Sequence, residues 1–247
     1  THDGGDRFIV PDQEPIRRKV NATKKEITLG CSYSLSESIK LCDDDISITI
    51  LDDHSTKETV ETLEDMFEVK VTALEGNFED GSLAHFTHAK NSEADLVYII
   101  EDDFLHQVDA VQEMILSYNM FLKEVKPEVI CLYPDDDYWN YMPPQGPLQT
   151  LIVPGIKRPW RMNNHTTNTM FTNPQVLRDH WEPFYTLATQ CHSVPNVCED
   201  TTINLIWKNH VPLFTPLIPL AYHLDHWPIT IEFHRSGIAE LWEENKL

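Results

Sequence analysis

The chain has 247 residues, 41% of them hydrophobic and 10% aromatic, a globular composition with length for one large α/β domain or two small ones. Forty acids against 19 bases leave a net charge of −21. Such a surface repels nucleic acid phosphates and anionic membranes and argues against a nucleic acid partner. No apolar run is long enough to span a bilayer, and no signal peptide is visible. The first residue is Thr1, which leaves open a trimmed beginning. The five cysteines (Cys31, Cys42, Cys131, Cys191, Cys198) lack a C-x-x-C pair and form neither a zinc framework nor a disulfide scaffold. Reduced thiols in a cytoplasmic protein are the expectation; the alternative is a lumenal or trimmed membrane-anchored protein, where Cys191 and Cys198 would close a short loop. Asn21-Ala22-Thr23 and Asn164-His165-Thr166 match the N-glycosylation pattern, a tripeptide too common to carry weight.

Turn chemistry opens the chain, with Gly4-Gly5, Pro11 and Pro15 keeping it irregular. Residues 24–41 place Ile27, Cys31, Leu35 and Ile39 at helical spacing, weakened by Gly30, and Asp43-Asp44-Asp45 ends the element. A β-branched strand over 46–51 empties into Asp52-Asp53-His54-Ser55, and an amphipathic helix over 56–67 follows. The pattern then predicts a strand over 69–74, a helix over 82–94 and a strand over 96–100. That last strand is apolar throughout and reads as buried on both faces. A helix over 108–125 and a strand over 128–133, ending in Asp135-Asp136-Asp137, complete a βαβ alternation that argues for a parallel sheet with helices on both faces. Residues 134–175 are rich in Pro, Asn, Thr, Trp and Tyr and read as a long irregular region. Helices are predicted over 176–188, interrupted at Pro183, over 199–208, and from 231 onward. Residues 211–220 read as extended and broken by prolines.

The chemistry gathers where strands end. Residues 96–100 run directly into Glu101-Asp102-Asp103, three carboxylates that repel one another unless a cation or protons neutralise them. Hard cations such as Mg²⁺ and Mn²⁺ prefer such oxygen ligands. In a parallel sheet the ends of strands 46–51 and 96–100 lie on one edge, so Asp52-Asp53 and the acidic triplet are expected to share a pocket. Lys157-Arg158-Pro159-Trp160-Arg161 is the dense basic cluster, set either to reach a diphosphate or an anionic acceptor or to form a solvated loop. Tyr138, Trp139, Tyr141 and Trp160 either stack on sugar rings or form a satellite hydrophobic cluster.

The order of these motifs resembles family 2 glycosyltransferases with the GT-A fold. Ile50-Leu51-Asp52-Asp53-His54-Ser55 looks like the family's nucleotide signature, Glu101-Asp102-Asp103 like its metal-associated acidic motif, and Cys198-Glu199-Asp200-Thr201-Thr202 like the motif carrying the catalytic base. The resemblance covers roughly residues 46–205. Thr1-His2-Asp3 looks like the pocket-lining turn that opens the family, without the strand before it. The resemblance implies a single domain over 1–247. Its nucleotide-sugar half, 1–133, has a Rossmann-like, mostly parallel sheet, and its irregular acceptor-binding half spans 134–247.

By the same resemblance Asp53 would bond the base with Asp52 beside it, Thr1 would line the nucleotide pocket, and Glu101 or Asp102 would hold the ribose or a metal-bound water. Asp103 would ligate Mn²⁺ or Mg²⁺, helped by His223 or His226, and Asp200, next to Glu199, would act as base in an inverting transfer. The donor is expected to be a nucleoside diphosphate sugar, UDP-sugar favoured, and the acceptor a glycan or other hydroxyl compound. Two alternatives stand beside this reading. One is a nucleotidyltransferase, against which no Gly-rich phosphate loop appears near the start. The other is a non-catalytic carbohydrate-binding relic of the fold.

Overall fold

A computed structural model describes residues 20–74, 78–125, 128–136, 150–191, 193–224 and 232–247. Its elements begin with α1 (Lys24–Ile39), β1 (Ile50–Asp52), α2 (Lys57–Phe67), β2 (Val71–Ala73), α3 (Phe78–Asn91) and β3 (Val97–Ile99). Next come β4 (Phe104–His106), α4 (Ala110–Val125), β5 (Cys131–Leu132), β6 (Ile152–Pro154), β7 (Pro159–Asn163) and β8 (Met170–Thr172). The chain closes with α5 (Pro174–Asp179), α6 (Trp181–Gln190), a 3-10 turn (Glu199–Thr201), α7 (Asn204–Asn209), β9 (Leu213–Pro216), β10 (Ala221–His223) and α8 (Glu232–Asn245). It is an α/β protein of two compact units. The first draws on Thr1–Glu75, Glu101–Gln112 and Ala221–Leu247, the second on Gly76–Ile100 and Glu113–Leu220.

In the first unit α1 starts with a capping box. Thr23 Oγ1 accepts the Glu26 N–H, and the Glu26 carboxylate accepts the Thr23 N–H at 2.7 Å. Its buried stripe is Ile27, Thr28, Gly30, Cys31, Ser34, Ser36 and Ser38, whereas Leu35 and Ile39 are only half-buried. The stripe is turned toward hydroxyls because its neighbours present backbone donors. Ser34 Oγ accepts the His106 N–H of β4, and Ser38 Oγ accepts the Val111 N–H in the first turn of α4, each at 2.9 Å. Ile27 and Cys31 pack with Leu105, Tyr222, Leu224, Ile238 and Trp242 into this unit's core. Trp242 of α8 lies against Gly30, where a Cβ would stand 2.8 Å from the indole ring. β4 and β10 pair antiparallel with Phe104 opposite His223, and β1 pairs parallel with β2.

The second unit holds a six-stranded sheet in the order β3-β8-β5-β9-β7-β6. It is mixed, not the mostly parallel sheet expected: β5 and β9 run parallel, and the other four pairings are antiparallel. Two strands cause this: β8 slots between β3 and β5 and runs against both, and β7 lies between β9 and β6 and runs against both. As the outermost strand among the described residues, β3 has a partner on one side, so only Ile99 of its three residues is fully buried. That corrects the reading of a strand covered on both faces. Three of the six strands come from the stretch read as irregular, and Trp160 on β7 is fully buried against Phe121. Pro183 does not break a helix. It sits in the first turn of α6, where its missing N–H has no intrahelical role, and the break falls at His180. The helix expected over 199–208 is a 3-10 turn followed by α7, with Thr202 (φ −128°, ψ −100°) between them.

Candidate functional site

The first unit builds an acidic centre from three separate segments. Asp102 and Asp103 lead into β4, and the β4–β10 register sets His223 opposite Phe104, where the two rings stack 4.5 Å apart. His223 Nε2 thereby reaches Asp103 Oδ2 at 3.2 Å, and the Leu224 N–H continues the ladder onto the Asp103 carbonyl. The third segment is the first turn of α1. Lys24 Nζ donates to Asp102 Oδ1 at 2.8 Å and lies 4.0 Å from Asp103 Oδ2, while Thr28 Oγ1 donates to Asp102 Oδ2 at 2.8 Å.

The two carboxylates therefore divide their tasks. Asp102 has each oxygen bonded to α1. Asp103 is only 8% exposed, and its Oδ1 is buried with no hydrogen-bond partner among the described residues. Burial opposes ionisation of Asp103, yet the His223 ring and the Lys24 ammonium outweigh it and hold the carboxyl well below its usual range. Burial likewise opposes ionisation of Asp102, and Lys24 more than offsets it.

The other acids expected to serve the nucleotide are differently placed. Asp52 is buried, and both its oxygens accept from the Ser55 N–H, at 3.1 and 3.3 Å, which closes the turn after β1. Asp53 faces outward enough to meet His54 Nδ1 at 2.6 Å. His54 itself adopts φ 66°, a left-handed conformation uncommon outside glycine. β1 pairs with β2, and β3 belongs to the six-stranded sheet, so the strands before the two acid groups are not neighbours in one parallel sheet as expected. Glu101 is half-buried.

In the second unit Asp200 sits in the 3-10 turn before α7. Asn204, fully buried at the start of α7, accepts the Thr166 N–H through Oδ1, and this orients its amide nitrogen toward Asp200 Oδ1 (3.1 Å) and His165 Nδ1 (2.9 Å). Trp207 Nε1 donates to Thr166 Oγ1 and fixes the same loop. His165 Nδ1 lies 3.6 Å and Lys208 Nζ 3.7 Å from Asp200 Oδ1. The His165 ring, the Asn204 amide and Lys208 outweigh partial burial and keep this carboxyl well below the usual carboxylate range.

The two arginines of the basic cluster are spent internally. Arg158 pairs with the buried Glu113 at 2.9 Å, and Arg161 pairs with the buried Asp136. Neither the expected diphosphate contact nor the solvated loop describes these two arginines, and Trp160 is core. Thr1, His226, Tyr138, Trp139 and Tyr141 lie outside the described residues. Lys24, Thr28, His165 and Asn204 escaped the sequence reading. Lys24 had a signal, because a lysine in the first turn faces the positive end of the helix dipole and needs another reason to be there. Asn204, four residues after Asp200, had helical spacing. His165 had no signal beyond the tripeptide it interrupts.

Among the described residues no group of three or more His, Cys, Asp or Glu side chains is set to hold a metal ion, and no helix is long and apolar enough to cross a membrane. The chain matches no protein-family model, and no curated protein matches it significantly.

Proposed function

We propose that the chain is a glycosyltransferase that moves a sugar from a nucleoside diphosphate sugar, a UDP-sugar by preference, to a hydroxyl acceptor, and that it uses Mn²⁺ or Mg²⁺. The observation that carries this reading is the buried Oδ1 of Asp103, without a hydrogen-bond partner among the described residues, beside His223, a residue 120 positions away in the chain. A buried carboxylate oxygen without a partner is costly, and a cation relieves that cost. One carboxylate with an imidazole is a sparse donor set. It fits a cation that takes its remaining ligands from substrate phosphates, as Mg²⁺ typically does.

In this reading Asp103 and His223 would hold the cation, which would supply positive charge for the departing diphosphate. Asp53 receives a base N–H. The ribose falls to Glu101, because both Asp102 oxygens are already engaged by Lys24 and Thr28. Asp200 takes the proton of the acceptor hydroxyl as that oxygen bonds to the anomeric carbon and the bond to the diphosphate breaks, which inverts the sugar's configuration. The resemblance to family 2 glycosyltransferases supports these roles residue by residue.

The test is a donor screen read by nucleotide release, with and without Mn²⁺. Release is expected with one donor class, and it should disappear in excess chelator and in Asp103→Asn. Full turnover in chelator would remove the cation from the reading, and silence with every donor would remove the transferase.

A further inference from the structure

The position of Lys24 has a consequence for the cation itself. Its ammonium is mostly buried, with the side chain 18% exposed, and it sits in the first turn of α1, where the helix dipole disfavours a positive charge. It stays there bonded to Asp102 and 4.0 Å from the Asp103 oxygen that also faces His223. Thr28, one turn along the same helix, takes the second Asp102 oxygen. The first two turns of α1 thus deliver a fixed positive charge and a hydroxyl to the acid pair. A divalent cation at Asp103 Oδ1 shares its carboxylate with that charge and is repelled by it.

We propose that Lys24 is the resident counter-cation of the Asp102–Asp103 pair and sets the affinity of this site for a divalent cation, keeping it weak. The inference rests on the reading of Asp103 as a cation ligand. Its chemical meaning is that Lys24 neutralises part of the acid charge when no divalent cation is bound. A cation is then held firmly only when a polyanion such as a diphosphate adds its own negative charge.

The test measures Mn²⁺ binding to the full chain by calorimetry or by loss of the free-ion spin-resonance signal, without nucleotide, in wild type, Lys24→Met, Lys24→Arg, Lys25→Met and Asp103→Asn. Lys25 is the matched control, since it lies next along α1 and pairs with Glu58 at 2.7 Å. Lys24→Met is expected to bind Mn²⁺ about tenfold or more tightly than wild type. Lys24→Arg, which keeps the charge, and Lys25→Met, which removes one elsewhere, should stay near wild type. Melting curves establish that each variant is folded. Equal or weaker binding in folded Lys24→Met, with wild-type binding that Asp103→Asn abolishes, overturns the role of Lys24 and leaves the cation ligand standing. Tightening of the same size in Lys25→Met also overturns it, by reducing the effect to net charge. Absence of Mn²⁺ binding in wild type and Lys24→Met alike overturns both the cation ligand and the role of Lys24.

Discussion

Asp103 lies 3.2 Å from an imidazole, His223, and 4.0 Å from an ammonium, Lys24; Asp200 lies 3.6 Å from an imidazole, His165, and 3.7 Å from an ammonium, Lys208. Both carboxyls are held below their usual range by this company. Burial separates them, because the Asp103 side chain is 11% exposed whereas the Asp200 side chain is 36% exposed. Water screens the second centre and barely reaches the first. Breaking a buried pair leaves an uncompensated charge in a poor solvent for it, while an exposed pair contributes little to stability. The lesson is that identical partner chemistry makes Asp103 a part of the fold and leaves Asp200 separable from it.

The sharpest way to break that contrast is to truncate both acids. Asp103→Ala should lower the unfolding free energy by about 3–5 kcal/mol, read from urea titration, since it takes away the carboxylate that the buried His223 faces. Asp200→Asn should shift stability by less than about 1 kcal/mol. The same variant should lose turnover by roughly a hundred- to ten-thousand-fold if Asp200 is the base, with donor binding nearly unchanged in calorimetry. Equal losses of stability in the two variants would erase the distinction, and near-normal turnover would unseat the base.

A smaller effect tests whether Asp102 belongs with the buried centre. Thr28→Val keeps the shape of a fully buried side chain and removes one donor to a carboxylate, so a loss of about 1.5–3 kcal/mol is expected. A change indistinguishable from zero would mean that Lys24 alone secures Asp102.

The last contrast is with pH. Burial pushes the His106 imidazole down to about 3, far below its ordinary value. A depressed folded-state value means that this stabilisation is complete above about 6.5, the unfolded value, and is lost as the pH falls toward 3. The slope from this group reaches at most about 1.4 kcal/mol per pH unit. The depressed Asp103 carboxyl adds a further loss once the pH drops below the unfolded carboxylate value of about 3.9. The first unit is therefore expected to unfold in acid in two overlapping stages. His106→Gln should flatten the upper one in a pH series of melting temperatures, and an unchanged profile in that variant would place the proton elsewhere.

Much of the helical framework was legible along the chain. Thr23 with Glu26, and Thr56 before α2, are caps whose donors and acceptors lie within three residues, and α1, α2, α4 and α8 fall close to the ranges that apolar spacing indicates. The stripe of α1 was legible only in part. Spacing favours Leu35 and Ile39, but Ser34 and Ser38 turn inward because the backbones of β4 and α4 need acceptors there. Strands β6, β7 and β8 carried no period of their own. Each is three to five residues long and holds its shape through the strand beside it.

The acids themselves were plain in the sequence as Asp52-Asp53, Glu101-Asp102-Asp103 and Glu199-Asp200. Their standing was not. Asp52 closes a turn, Asp102 is bonded to a lysine 78 residues earlier, and Asp103 meets a histidine 120 residues later. Caps and apolar periods depend on neighbours within about one helical turn, so they can be read from residues in order. Which carboxylate has both oxygens bonded, and which keeps a buried oxygen with no hydrogen bond among the described residues, depends on the strand register and on the helix laid against it. Contacts of that range exist only once the chain has folded.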